Sequence, residues 1–437
     1  MTRSPASVGF PSRLAWLCAC LGIAVATPAV AWDSTEQEVE DAHRLDGVAT
    51  PHTPWARPLA GGPVRAYAFV GAKTEGMNTL AWEIAELAQR VELDLDASWR
   101  YSFHKDHWFG GDAGERRIVR LLKKPHDVFI FQDVHPDTLP TDPLRHARTP
   151  FLEQVRAGAG VVLIGVDVLP QPAKPAKPAK AGAKQPPPAP QLFAEAGAID
   201  PLPAPIEAAD GLAAYDYGKG RIVQMPARPK IGYAPGWEVE YDLWQEKLVR
   251  ALLWAAKREP PVGLEIRCEP EVGRDQLATK KLVVAWKNAT PGKTEIALTL
   301  RRDDGAATPL GTAACKTADG EASFAVPAAR AGRHHLDAVA RIGQASQGWA
   351  TQPVVITAPA RVAEIALDER HPLPARPEPG KAQNWQEDWE RRGVFVPYVE
   401  IGEPIAGSVK LDGELNNLAI RVSLFDPQGR ELVREER

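Results

Sequence analysis

The chain has 437 residues and a formal net charge of -4, so its overall electrostatics give no case for nucleic acid or an anionic membrane as a partner. That length predicts two or three domains. Its 41 prolines exceed what a compact enzyme uses, and they collect where linkers are expected.

Arg3 and Arg13 precede an apolar stretch from Leu14 to Ala26, and Ala29-Val30-Ala31 follows as a small-x-small site. This pattern predicts a secretory signal peptide over 1–31, with a membrane anchor as the alternative; the stretch is short for a bilayer. The mature chain is then expected to be secreted or periplasmic, with no further membrane span. Cys18 and Cys20 leave with the leader, and Cys268 and Cys315 stay, either as a structural disulfide or as two separate thiols. Residues 32–63 lack a sustained period and read as an extended lead-in.

An α/β pattern occupies 64–259. Val64 to Val70 reads as a strand, and Leu80, Ile84, Leu87 and Val91 recur at helical spacing before a second strand at Val91 to Leu95. An aromatic and His-rich loop spans Ser98 to Gly114, and a helix around Ile118, Leu121 and Leu122 ends at Pro125. Asp127 to Gln132 is the third strand. A helix from Phe151 then ends at Gly158 and Gly160 and feeds a buried fourth strand, Val161 to Ile164. This alternation predicts parallel pairing with right-handed crossovers.

Residues 171–190, QPAKPAKPAKAGAKQPPPAP, form a solvated insertion directly after the fourth strand's turn. A short helix near Leu192 to Ala196, a hairpin of Ala214 to Tyr217 with Arg221 to Met225, and a long helix from Trp237 to Lys257 complete the unit. Pro260-Pro261 marks its boundary.

Beyond it the period becomes alternating. Candidates at Gly263 to Cys268, Lys281 to Trp286, Thr294 to Leu300, Ala322 to Val326, His334 to Ile342 and Pro353 to Ile356 predict an immunoglobulin-like β-sandwich over 260–358. Residues 359–437 hold a Pro-rich link and about four strands (Val394 to Ile401, Gly407 to Leu411, Leu418 to Phe425, Glu431 to Val433), the start of a further sandwich. The expected class is thus α/β plus all-β, and the chain reads as the front portion of a larger protein.

The order of His126-Asp127-Val128-Phe129-Ile130-Phe131, Phe151 to Gly165, Tyr217-Gly218-Lys219-Gly220-Arg221-Ile222-Val223 and the Trp-rich helix ending Arg250-Ala251-Leu252-Leu253-Trp254 resembles the class I glutamine-amidotransferase-like domain, in the divergent form found in secreted bacterial multidomain proteins. The resemblance implies a flavodoxin-like doubly wound parallel sheet. It also implies a cysteine nucleophile in the turn after the fourth strand, where this chain has Gly165-Val166-Asp167, and an oxyanion-hole glycine pair where it has Gln132-Asp133-Val134. Glutamine hydrolysis is therefore not expected, and no cofactor is implied.

Glu75, Asp133, His135 and Asp167 fall at the ligand edge of that sheet and supply acid, base and orienting groups if another hydrolytic chemistry operates there. The simpler expectation is that they cap helices or face water. His104, Asp106 and His107 carry metal-ligand side chains without a distant fourth. Trp99, Tyr101 and Trp108 are either a stacking platform for a sugar ring or packing. The two functional expectations are an exported, non-catalytic binding or scaffolding protein, with a polysaccharide or cell-envelope component as partner, and a hydrolase using Glu75, Asp133, His135 and Asp167.

Overall fold

The computed structural model describes residues 52–72, 82–101, 107–166, 192–203, 206, 212–227, 237–302, 306–358, 360–367, 407–413, 421–425 and 431–436. The leader and the 171–190 insertion lie outside them.

The first half is one mixed sheet of eight strands. Its centre is parallel: β1 (Val64–Ala72), β2 (Leu93–Tyr101), β4 (Val128–Gln132), β5 (Gly160–Ile164) and β8 (Gly220–Met225) pair in the order β2-β1-β4-β5-β8. The edges are antiparallel. The two-residue β3 (His107–Trp108) joins β2, and β7 (Ala213–Tyr217) and β6 (Gly197–Ile199) extend the far side. The parallel pairing expected of the first four strands is present and extends to β8, and the expected hairpin at Gly218 turns β7 back antiparallel, with β6 added at the edge. The helix expected near Leu192 is a turn leading into β6.

β4 and β5 are buried at every position, which explains their unbroken apolar runs. On one face Val64, Ala66, Ile130, Val162 and Val223 pack under helices α1 (Trp82–Arg90) and α4 (Trp237–Ala255). On the other Phe69, Phe129, Phe131, Leu163 and Ile222 pack under α2 (Gly111–Leu121) and α3 (Arg148–Ala157). The second face is held largely by rings: Phe69 stacks on Phe131 at 4.7 Å between centroids, and Phe151 meets Phe129 edge-on at 5.0 Å.

The second half has two facing sheets around a separate apolar core. One orders β10 (Glu271–Gly273), β16 (Ala345–Thr357), β15 (Gly332–Ile342), β12 (Glu295–Arg302) and β13 (Ala307–Ala314); the other orders β14 (Gly320–Ala325), β11 (Lys281–Lys287) and β9 (Gly263–Arg267). β13 escapes the periodicity reading because ATPLGTAA is an edge strand without buried alternation. Beyond it β17 (Ala360–Leu367) pairs with β18 (Gly407–Gly413), and β19 (Arg421–Phe425) with β20 (Glu431–Glu436). The strand expected at Val394 to Ile401 lies outside the described residues.

At Pro260-Pro261 the architecture changes from the mixed sheet and its helices to the facing β-sheets without a gap. Val339 of β15 and Trp349 of β16 belong to the same buried cluster as Leu248 and Leu252 of α4. Trp55, Ala56 and Leu59 of the lead-in fill the remaining wedge, and Ala56 and Leu59 bridge to Val91 and Ser346 respectively. Gly348 lies flush on Val262: a Cβ there would overlap the Val262 carbonyl oxygen, so no larger residue permits this approach.

Candidate functional site at the domain joint

At the end of β4, Asp133 adopts a left-handed backbone (φ 54°) and donates its amide to the Ile164 carbonyl at 3.0 Å. Gly165, with φ 67°, makes the matching turn after β5, and a Cβ on Gly71 would collide with the Asp133 carbonyl. The close approach of three strand ends is thus built on two glycines and one strained aspartate. His135 sits two residues on, but as a cap. Its Nδ1 accepts the Asp137 amide at 3.2 Å, opening the short 3-10 turn Pro136–Thr138. Glu75 and Asp167 lie outside the described residues, so only Asp133 and His135 of the four candidates are placed.

The aromatic candidates are core. Trp99 packs on the α1/α4 face of the sheet, whereas Trp108 packs on the opposite face and donates Nε1 to the Thr138 carbonyl at 3.2 Å. Two rings on opposite faces share no stacking surface. The side chain of Tyr101 is not described, nor are His104 and Asp106; His107 is exposed on β3. No group of three or more His, Cys, Asp or Glu placed to hold a metal occurs among the described residues. Cys315 is buried, Cys268 half-buried, and both are free thiols. Burial raises both thiols, Cys268 to about 11, with the Glu269 carboxylate adding to the effect at Cys268.

The densest buried polar arrangement lies where sequence reasoning placed nothing. Arg90, at the end of α1, donates to Asp242 of α4 at 2.6 Å, and the other Asp242 oxygen accepts from Arg301 of β12. Arg301 continues to Asp337 of β15 at 3.3 Å. Asp337 also accepts from Thr53 Oγ1 at 2.8 Å, Trp55 Nε1 at 3.0 Å and Thr351 Oγ1 at 2.9 Å. All four charged residues are 5% exposed or less.

The ladder therefore alternates cation and anion across both halves and the lead-in, with Arg90 also lying over the Trp55 ring at 5.0 Å. Burial alone would raise the Asp242 carboxyl, but Arg90 and Arg301 outweigh it and hold it below the usual range. A second clasp lies alongside: Glu246 of α4 accepts from Trp349 Nε1 at 3.0 Å and pairs with Arg250, whose guanidinium covers the Trp349 ring at 5.1 Å.

A cavity of about 360 Å³ opens beside the ladder, lined by residues including His52, Ala297, Thr299, Arg301, Val339 and Arg341. Burial first, and then the Arg90 and Arg301 cations, lower the His52 pKa from 6.5 to about 4, with Asp242 partly opposing. Between those two values the folded protein binds fewer protons than the unfolded chain. Its contribution to stability is complete above pH 6.5 and is lost as the pH falls towards 4. Urea midpoints should accordingly drop between pH 7 and 5, and His52→Gln should remove most of that drop; equal slopes in both proteins would show that His52 is not responsible.

No protein-family model matches the chain, and no curated protein does. Among solved structures it is similar over 22% of its length to the CARDB domain of a Pyrococcus furiosus protein. The solution structure of that domain matches with 17% identity, 95% of that chain covered and a TM-score of 0.18. Its crystal structure in complex with di-metal ions matches with 15% identity, 93% covered and a TM-score of 0.17. The expected amidotransferase-like domain is thereby corrected. Neither the family models nor the curated proteins return that family, and the mixed sheet departs from the parallel one it implied. What stands is a β-rich chain with a large mixed α/β sheet and further, largely antiparallel sheets, in which no described helix is long and apolar enough to cross a membrane.

Proposed function

We propose that this chain is an exported, non-catalytic scaffolding and binding protein that holds two folded units at a fixed angle. In this reading the five parallel strands form a flavodoxin-like doubly wound layer. The two facing sheets that follow form an immunoglobulin-like sandwich, the β17–β20 pairs begin a further one, and a polysaccharide or other cell-envelope component is the partner class. One observation carries the reading: the ladder Arg90–Asp242–Arg301–Asp337 crosses the joint without a break and is shut away from water. A hinge would expose and hydrate such charges each time it opened, whereas a fixed joint keeps every desolvated charge opposite its partner.

The strand-end polar groups support the same reading. His135 is committed to its own turn, and Gln132 donates to Glu83 at 3.0 Å inside the α1 face. Spin labels at Glu153 on α3 and Thr308 on β13 test the proposal by pulsed dipolar spectroscopy on the full chain. A single narrow distance distribution is expected. A broad or bimodal one would overturn the scaffold, and hydrolysis of an envelope glycan that disappears in Asp133→Asn would replace it with the enzyme reading.

A further inference from the structure

We infer that the cavity at the joint is a binding site for a small carboxylate about the size of a single sugar acid, with Arg341 as the group that receives the charge. This goes beyond the scaffold reading, because a rigid joint needs no ligand.

The charges make the case. Within the ladder Arg90 and Arg301 face Asp242 and Asp337, with Glu86 as a further partner of Arg90 at 3.4 Å, so both guanidinium groups are committed to carboxylates. Arg341 is the cation left over. It is half-buried on β15, and its guanidinium donates to two backbone carbonyls, Gln344 at 2.9 Å and Pro54 at 3.4 Å. No acidic side chain among the described residues pairs with it. Burial is accordingly the one influence on its pKa, and it lowers it. A partly desolvated guanidinium without a counter-anion is where a carboxylate gains most, through a paired, charge-assisted contact.

The surroundings define the rest of the ligand. Ala297, Val339 and Pro54 offer apolar lining, Thr299 and Thr53 add hydroxyl groups, and His52 is neutral at pH 7. Arg301 and Asp337 also line the cavity but are paired with each other at 3.3 Å, with Thr53, Trp55 and Thr351 donating to the Asp337 carboxylate. About 360 Å³ suits a ligand of monosaccharide size and lies at the lower end of ligand-pocket volumes. An apolar lining with scattered hydroxyls and one cation not already paired with a carboxylate fits a hexuronic acid, either free or as a residue of an acidic polysaccharide.

Titration calorimetry on the full chain at constant ionic strength tests this with glucuronate, an oligoglucuronate and glucose. Saturable binding of glucuronate or of its oligomer is expected, with glucose at least tenfold weaker. Tighter binding of the oligomer assigns the site to polymer, and equal binding assigns it to the free acid. Arg341→Gln should weaken binding at least tenfold and Arg341→Lys by less, while Ala297→Phe, which fills the cavity, should abolish it. Unliganded melting temperatures identify any variant that fails to fold, and the remaining variants then decide. Equal binding of glucose and glucuronate, an unchanged affinity in folded Arg341→Gln, or no saturable binding of any of the three probes would overturn the site.

Discussion

Replacing Asp242 by alanine is expected to cost about 3–5 kcal/mol of unfolding free energy, the cost of leaving a buried charge unpaired. Asp242 is the carboxylate shared by Arg90 and Arg301, so its loss removes the closer partner of both and leaves Arg90 with Glu86 at 3.4 Å and Arg301 with Asp337 at 3.3 Å. Equilibrium urea unfolding by circular dichroism measures the change, and a loss below about 1 kcal/mol would show that water or movement of the arginines compensates. The triple variant Arg90→Met, Asp242→Leu, Arg301→Met should recover most of the loss, since well-packed apolar side chains replace buried ion networks at little cost. It would leave Asp337 with Thr53, Trp55 and Thr351 as donors. Recovery in the triple variant separates the electrostatic explanation from a simple packing defect at α4.

Trp55→Ala is the second large effect, expected at about 3–5 kcal/mol for a fully buried ring. The indole contributes in three ways: it fills the wedge between the halves, donates to Asp337 and lies under the Arg90 guanidinium. Trp55→Phe keeps the first and part of the third and leaves Asp337 Oδ1 with Thr351 Oγ1 as a donor, so about 1 kcal/mol is expected, the net value of one lost hydrogen bond. Limited proteolysis supplies the second readout. Cleavage within 52–62 should accelerate in Trp55→Ala and remain slow in Trp55→Phe. Indistinguishable cleavage in all three proteins would mean that the lead-in is held by its backbone bridges to Val91 and Ser346 without the ring.

The parallel centre of the sheet was legible because its strands carry buried faces on both sides. VFIFQ and VVLI leave little alternative, and Gly158 and Gly160 mark the entrance to β5. The edges were not. β3, β6 and β10 are two or three residues long, and β13 interrupts its own apolar pattern with Pro309 and Gly311. The aromatic loop left a platform and packing as alternatives because Trp99 and Trp108, nine positions apart, read as one cluster, whereas β2 and its return through β3 send them into the packing of opposite faces.

The joint was the least legible part. Its four charges stand at positions 90, 242, 301 and 337, and no local spacing links them. The available signal was chemical: Asp337 stands between Leu336 and Ala338 in a strand, and Asp242 lies on a helix face rich in Trp and Tyr. A charge among residues that demand burial implies a partner elsewhere. Sequence alone leaves the partner's identity open.

Trp55 reaches its hydrogen-bond acceptor 282 positions further along the chain. Trp55 therefore acquires its final neighbours only after β15 and β16 have been synthesised. Contacts of such long sequence separation are slow to form and add little before the intervening loop has closed. A nascent chain truncated before β15 lacks Asp337, which accepts from the Trp55 indole, and Val339 and Trp349, which share its buried cluster, so that part of the apolar wedge stays uncovered until they are made.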